Sequence, residues 1–250
     1  MMRGIKSLMP RAIASRLRRY LCEPEKELTA DEVVRHFHEL FYSRTESTWN
    51  DTYWMGTRIL KNPFDLWIYQ EIIFSTRPDI IVECGTRHGG SALYFAHLCD
   101  LLGHGRIVSI DIEPDTSRPV HPRITYHIGS SLSEDVLKEV ERAAGGYRTM
   151  VSLDSDHRQS HVLSEMRAYG RYVSLGCYMV VEDTNLNGNP VLPQFGPGPH
   201  EAVEQFLRES HEFEDDPRCE RLLFTFHPRG FLRRVAQSLD MRPRPSPGHR

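Results

Sequence analysis

"IIVECGTRHGGS", residues 80–91, begins as an apolar strand and breaks into a glycine-rich turn, with the acid Glu83 inside the strand's last residues and Gly85, Gly89 and Gly90 directly after it. In an open parallel sheet, ligands bind beyond the carboxyl ends of strands, where helix N-termini direct free N–H groups. Gly85 lets the chain turn sharply, and Gly89 and Gly90 let a ligand approach the backbone. The Glu83 carboxylate is then placed to hold a cationic or hydroxyl-bearing ligand.

Working outward, short β-branched runs alternate with amphipathic stretches. "DIIVEC" is followed by a helix from about Gly90 to Leu102, then "RIVSIDI", "RITYHI", a helix near Ser133 to Ala143, "TMVSLD", a helix near Gln159 to Tyr169, and "CYMVVED". Parallel strands cannot be joined by a tight hairpin, so this alternation predicts helical crossovers and a Rossmann-like, doubly wound, mostly parallel α/β sheet. "RLLFTF" and "GFLRRV", separated by "HPR", read as an antiparallel hairpin at one end of that sheet. Upstream, "TADEVVRHFHELFY" puts Val33, Phe37, Leu40 and Phe41 on one helical face, with Thr29 or Asp31 as N-cap. The expected organisation is an N-terminal helical extension or lid over 1–55, a ligand-binding domain over 56–236, and a polar, proline-rich disordered tail over 237–250.

A chain of 250 residues with 31 Lys+Arg against 34 Asp+Glu is sized for one large domain, and nothing in its charge predicts a nucleic-acid partner. Its five cysteines lack metal-like spacing and read as reduced thiols. No run is long and apolar enough to span a membrane, and the start lacks the apolar core of a secretory signal, so a cytoplasmic location is expected. The basic stretch "MMRGIKSLMPRAIASRLRRYL" carries Ile13, Leu17 and Leu21 at helical spacing, which suits either peripheral membrane contact or packing on the protein's own body. A homo-oligomer is compatible with the composition.

Asp111 ends the second strand of the alternating region, where an acid can accept both hydroxyls of a ribose. The turn is not G-x-G-x-x-G, so the dinucleotide fingerprint fails and a nucleoside with a charged, non-phosphate tail fits better. A second set of acids ends the fourth and fifth strands, in "SLDSDH" and "VVED". Neighbouring strands lie about 4.8 Å apart, so such carboxylates must hydrogen-bond separately, protonate or share a hard cation such as magnesium. Asp154, Glu182 and Asp183 are the candidate ligands, with Asp156 competing with Asp154. His157 follows three residues after Asp154, and with an unperturbed pKa of about 6.5 it suits a general base.

Glu83, Gly85, Gly89 and Ser91, with Asp111 and "HIGSS" at 127–131, resemble the S-adenosylmethionine site of class I methyltransferases. The resemblance implies that the first turn, with Glu83, Gly85, Thr86, Gly89 and Ser91, holds the methionine end. Asp111 would hold the ribose, Gly129, Ser130 and Ser131 would lie near the base, and Asp154 would border both cofactor and metal. The second constellation is similar to metal-dependent O-methyltransferases, and "YWMGTRILKNPFDLWIYQE", "LDSDH", "VVEDTN" and "GPGPHEAVEQF" resemble the cephalosporin hydroxylase / rhamnosyl O-methyltransferase group over roughly residues 50 to 235. That group implies S-adenosyl-L-methionine and Mg2+ as cofactors and a small-molecule glycoside, rhamnosyl- or macrolide-type, as substrate. Asp154 and His157 would be catalytic, and Asp154, Glu182 and Asp183 would hold the metal. Tyr53, Trp54, Trp67, Asn185, Asn187 and Phe195 are the expected sugar contacts. A metal-dependent hydroxylase and a non-catalytic S-adenosylmethionine-binding partner protein are the competing readings.

Overall fold

The computed structural model describes residues 27–236, so the basic N-terminal stretch and the expected disordered tail lie outside the described residues. The chain divides into two compact units between Val33 and Val34. The first unit contains the opening turn of helix α1 (Ala30–Ser43). Thr29 caps it: its Oγ1 accepts from Glu32 N at 3.2 Å while Glu32 Oε2 accepts from Thr29 N at 3.0 Å, a reciprocal capping box.

In the second unit the elements after α1 run β1 (Tyr53–Trp54), β2 (Thr57–Arg58), α2 (Pro63–Thr76), β3 (Ile80–Cys84), α3 (Gly90–Leu102), β4 (Arg106–Asp111), β5 (Ile124–Ile128), α4 (Glu134–Ala144), β6 (Thr149–Leu153), α5 (Gln159–Tyr169), β7 (Tyr178–Val181), α6 (Pro199–Glu209), β8 (Phe213–Asp215) and β9 (Phe231–Arg234). The main sheet has seven strands in the order β5-β4-β3-β6-β7-β9-β8. The first five are parallel, and β9 runs antiparallel to both β7 and β8. The strands read as nearly continuous apolar runs because helices cover both faces.

Residue alternation sorts each strand between two cores. Ile80, Val82 and Cys84 of β3 pack with α4, α5 and α6, whereas Ile81 packs with α2 and α3. Glu83 shares the parity of Ile81 and enters the α2–α3 layer rather than the opposite core. Its register partners are Ser109 on β4 and Ser152 on β6, and Glu182 extends the same face of β7, beyond Tyr178 and Val180. A polar band therefore crosses the carboxyl end of an otherwise apolar face.

Helix boundaries follow local chemistry. Asn62 caps α2 by accepting from Phe64 N, and Ser133 caps α4 ahead of Glu134 and Asp135, whose charges oppose the helix dipole. The turn into α3 needs glycine at residue 85. Its φ is +89°, and an added Cβ would sit 1.9 Å from the Asp154 carbonyl oxygen, so β3 and β6 touch backbone to backbone at the future site.

The C-terminal antiparallel pair exists, but "RLLFTF" is not one of its strands; β8 comes from "FED" at 213–215 instead. Tertiary contacts override the apolar pattern of 221–226. Phe224 packs on Phe37, Phe41 and Phe64 with ring centroids 5.0, 5.2 and 5.6 Å away, and Phe226 packs edge-on to Tyr42 at 5.7 Å. Leu223 takes a φ of +69°, incompatible with an extended run, and Phe226 N is captured by Asp65 Oδ2 at 2.9 Å. The β1–β2 ribbon was not expected from the sequence. Met55 and Gly56 turn it with positive φ at both positions, as a two-residue hairpin of the I′ type requires.

Asp65 is fully buried and also accepts from Asn62 Nδ2 at 3.0 Å. Asp65→Ala should leave the Phe226 N–H unpaired and lower unfolding free energy by about 2 kcal/mol in urea titration; an unchanged midpoint would contradict this anchoring role. Gly85→Ala should be more damaging, on the order of 3 kcal/mol or more, because both the positive φ and the Asp154 carbonyl oppose a methyl group.

Candidate active site

A cavity of about 800 Å³ opens at the carboxyl ends of β3, β4, β5 and β6. Its floor is the turn after β3. Gly85 N donates to Ile110 O at 2.8 Å, and Asp111 Oδ2 accepts from Thr86 N at 3.0 Å and Arg87 N at 2.7 Å. Asp111 thus ties the end of β4 to the glycine turn as well as facing the cavity; its Oδ1 accepts from Glu113 N at 2.9 Å. Gly85, Thr86, Ser91, Asp111, Gly129, Ser130, Ser131, Asp154, His157 and Asp183 all line this space.

Glu83, Gly89 and Glu182 do not line it. Glu83 lies beneath the turn, 2 % exposed, and accepts from Ser109 Oγ at 2.6 Å. Burial pushes its carboxyl group up, against the opposing bond from Ser109. Gly89 starts α3 at a φ of +78°, and a Cβ there would meet Pro119 and the Tyr126 hydroxyl at 2.8 Å, so it serves close packing.

The acids ending β6 and β7 divide into two groups. Asp154, His157 and Asp183 bring their ligating atoms within 4.8 Å of one another. His157 Nε2 lies 3.2 Å from Asp154 Oδ1 and 3.6 Å from Asp183 Oδ2. Glu182 stands behind them: its Oε1 accepts from Tyr69 OH at 2.8 Å and Ser152 Oγ at 2.9 Å, and its Oε2 accepts from Lys61 Nζ. The same ammonium donates to Asp154 Oδ2 at 2.5 Å. Asp154, Glu182 and Asp183 nevertheless border one small void of about 20 Å³, with Lys61 on its wall, enough for a single water-sized sphere. Asp156 is drawn away by Arg158, whose Nε reaches it at 2.9 Å.

Charge in this corner is unevenly compensated. Burial would raise the Asp154 carboxyl group, but Lys61 and His157 hold it well below the usual range. Asp183 shows the reverse: burial raises it, with His157 the leading opposing charge. Its backbone is held at a φ of +55°, with N–H donating to His227 Nδ1 at 3.0 Å. Burial would lower His157, yet its bond to Asp154 and the charge of Asp183 push it up to about 9. Two half-buried carboxylates around one point, with Asp183 short of donors among the described residues, fit a hard divalent cation, and the His157 imidazole lies beside them.

Of the expected sugar contacts, only Phe195 lines the cavity. Trp54 donates to His97 Nδ1 at 2.9 Å, Tyr53 is exposed beside it, and Trp67 lies on the outer face of α2, donating to Glu71. Asn185 is buried against His38, and Asn187 braces the loop through Glu201 and Gly196 N. The aromatic wall comes instead from Tyr42 and Trp49, stacked 5.4 Å apart and continued by Ile59, Leu60 and Leu186. Burial and the Asp183 charge push the Tyr42 phenol up to about 12. Lys61 and His227 also belong to this corner, unmarked by any motif. The only available signal was an isolated lysine inside "RILKNPFDL", immediately before a helix cap.

Comparison with known proteins gives the family. The family model for Rhamnosyl O-methyltransferase/CmcI matches residues 46–235. The rhamnosyl O-methyltransferase of Mycobacterium leprae (strain TN) is 38% identical over 209 residues, covering 81% of this chain and 90% of that protein. That of Mycobacterium bovis (strain BCG / Pasteur 1173P2) is 36% identical over 213 residues, covering 81% and 85%. A solved CmcI structure with Mg and SAM superposes with a TM-score of 0.58 at 20% identity, covering 94% of this chain and 89% of that one, which shows a shared fold. By the extent of the family match and the identity to these relatives, the chain belongs to the Rhamnosyl O-methyltransferase/CmcI family.

Proposed function

We propose that the protein is an S-adenosylmethionine-dependent, magnesium-assisted O-methyltransferase that methylates a hydroxyl of a sugar on a rhamnosyl- or macrolide-type glycoside. The observation that carries this reading is the meeting of Asp154, His157 and Asp183 within 4.8 Å on the wall of the cavity floored by the glycine turn and Asp111. The family relationship supports the same chemistry.

In this reading the nucleoside lies along residues 85–86, Asp111 and 129–131, and a cation is held by Asp154 and Asp183, with Glu182 bordering the same void. When bound, S-adenosylmethionine supplies an electrophilic methyl group, and magnesium supplies charge that favours the alkoxide form of an acceptor hydroxyl. The chain's own residues provide position and proton management. His157 would take the hydroxyl proton, and Asp154 Oδ1 positions the ring through its bond to Nε2. The stacked Tyr42 and Trp49 rings offer flat faces to a sugar, and Leu186 and Phe195 help close the cavity over the reacting atoms. Methyl transfer is a displacement, so holding donor and acceptor in line supplies much of the acceleration. Lys61 stays with Glu182, keeping a buried carboxylate paired. Among the described residues the cluster holds one histidine and two carboxylates rather than the two-histidine facial set of an iron oxygenase. No described helix is long and apolar enough to cross a membrane.

Asp154→Ala should reduce methylation of a glycoside acceptor by about a thousandfold or more while leaving S-adenosylhomocysteine affinity within a few-fold. Asp111→Ala should act mainly by weakening the nucleoside. Equal loss of cofactor binding in both variants would refute the division into two sites. Turnover should also rise with pH as His157, pushed to about 9 without a cation, loses its proton. Added magnesium should move that midpoint toward acid, because nearby positive charge disfavours the imidazolium. A midpoint unmoved between low and saturating magnesium would contradict a shared site.

A further inference from the structure

Glu165 on α5 is wholly buried and has no part in the chemistry above. Its Oε1 accepts from Ser131 Oγ at 2.5 Å and Ser155 Oγ at 2.7 Å, and lies 3.3 Å from His161 Nε2. Its Oε2 has no hydrogen-bond partner among the described residues. Ser131 follows β5, Ser155 follows β6 and His161 belongs to α5, yet all three line the large cavity. One buried carboxylate oxygen therefore takes the hydroxyl hydrogens of Ser131 and Ser155, and His161 Nε2 lies 3.2 Å from Ser155 Oγ beside them.

A serine hydroxyl has one hydrogen and two lone pairs. With both hydrogens committed to Glu165, Ser131 and Ser155 can offer a ligand only acceptors. We infer that Glu165 is a positioning residue that fixes the polarity of this wall, so that the cavity selects an amine-bearing nucleobase edge, that of adenine, over a carbonyl-bearing one. The inference rests on the S-adenosylmethionine reading, which places the base beside residues 129–131. A carbonyl oxygen brought against these hydroxyls would face lone pair against lone pair, unless a serine gave up its bond to Glu165 and left a buried charge short of donors.

The test is calorimetric binding of S-adenosylhomocysteine and S-inosylhomocysteine, which differ in the amine or carbonyl at C6 and in the hydrogen that the carbonyl form carries on N1, to the full chain and to two variants. The unmodified protein should prefer the adenosyl ligand by about a hundredfold. Glu165→Met keeps the volume but removes the acceptor, freeing both hydroxyls to rotate, and should bring the two affinities within about threefold of each other. Glu165→Gln keeps an accepting oxygen and should retain most of the preference. Should Glu165→Met fail to fold, Ser155→Ala at the exposed rim takes its place and should reduce the preference several-fold. Equal binding of the two ligands by the unmodified protein overturns the inference. So does full discrimination in Glu165→Met, or in Ser155→Ala where that variant stands in, and so does an equal loss of both ligands, which marks a merely structural role. If the unmodified protein binds neither ligand, the cofactor reading falls and this inference falls with it.

Discussion

The carboxylates at the carboxyl edge of β6 and β7 constrain everything around them. Asp154, Glu182 and Asp183 border one small void, and among the described residues Lys61 is the only ammonium bonded to them. Like charges this close repel by several kcal/mol even at an effective dielectric constant of about 20. Glu182 is relieved by Lys61, Tyr69 and Ser152, and Asp154 by Lys61 and His157, whereas Asp183 faces His157 at 3.6 Å. The arrangement is arithmetically short of positive charge, and the shortage sits where the large cavity opens.

The sheet makes this possible through alternation. Glu83, Ser109, Ser152 and Glu182 share one face of neighbouring strands, so the acids of that face are met by hydroxyls and by Lys61 and Tyr69, contributed by α2 and the residue before its cap. Asp154, one residue beyond β6, and Asp183, two residues beyond β7, escape the pleat and turn toward the cavity. A left-handed backbone at Asp183, with its N–H donating to His227, keeps that second carboxylate from following Glu182 into the core. Lys61 thus separates two roles that adjacent acids would otherwise share.

Much of this was legible from local pattern. The parallel strands and their crossover helices follow from apolar runs alternating with helical periodicity, and the placement of Gly85, Asp111, Asp154, His157 and Asp183 on the cavity wall follows from strand ends, which are sequence-local features. What escaped depends on contacts between distant segments. Glu182 and Asp183 are neighbours in sequence, and which of them turns inward depends on distant partners such as Lys61, 121 residues before Glu182. Tyr42 and Trp49 reach the cavity from helical segments whose apolar spacing also suits ordinary core packing, so Tyr53, Trp54 and Trp67 looked equally good. "RLLFTF" has a strand's composition, but the aromatic cluster around Phe37 and Phe41 and the carboxylate of Asp65 claim it first. The Glu165 network could not have been anticipated, since its serines and histidine come from separate loops and a helix turn.

The central claim is that these acids meet around a divalent ion beside the nucleoside cavity. Anomalous diffraction from crystals grown with manganese and S-adenosylhomocysteine tests it most directly. The account predicts one strong peak within coordination distance of both Asp154 and Asp183, with Lys61 still bonded to Glu182. Density for the nucleoside with no metal peak, and Asp183 turned to solvent or to an arginine, would contradict it.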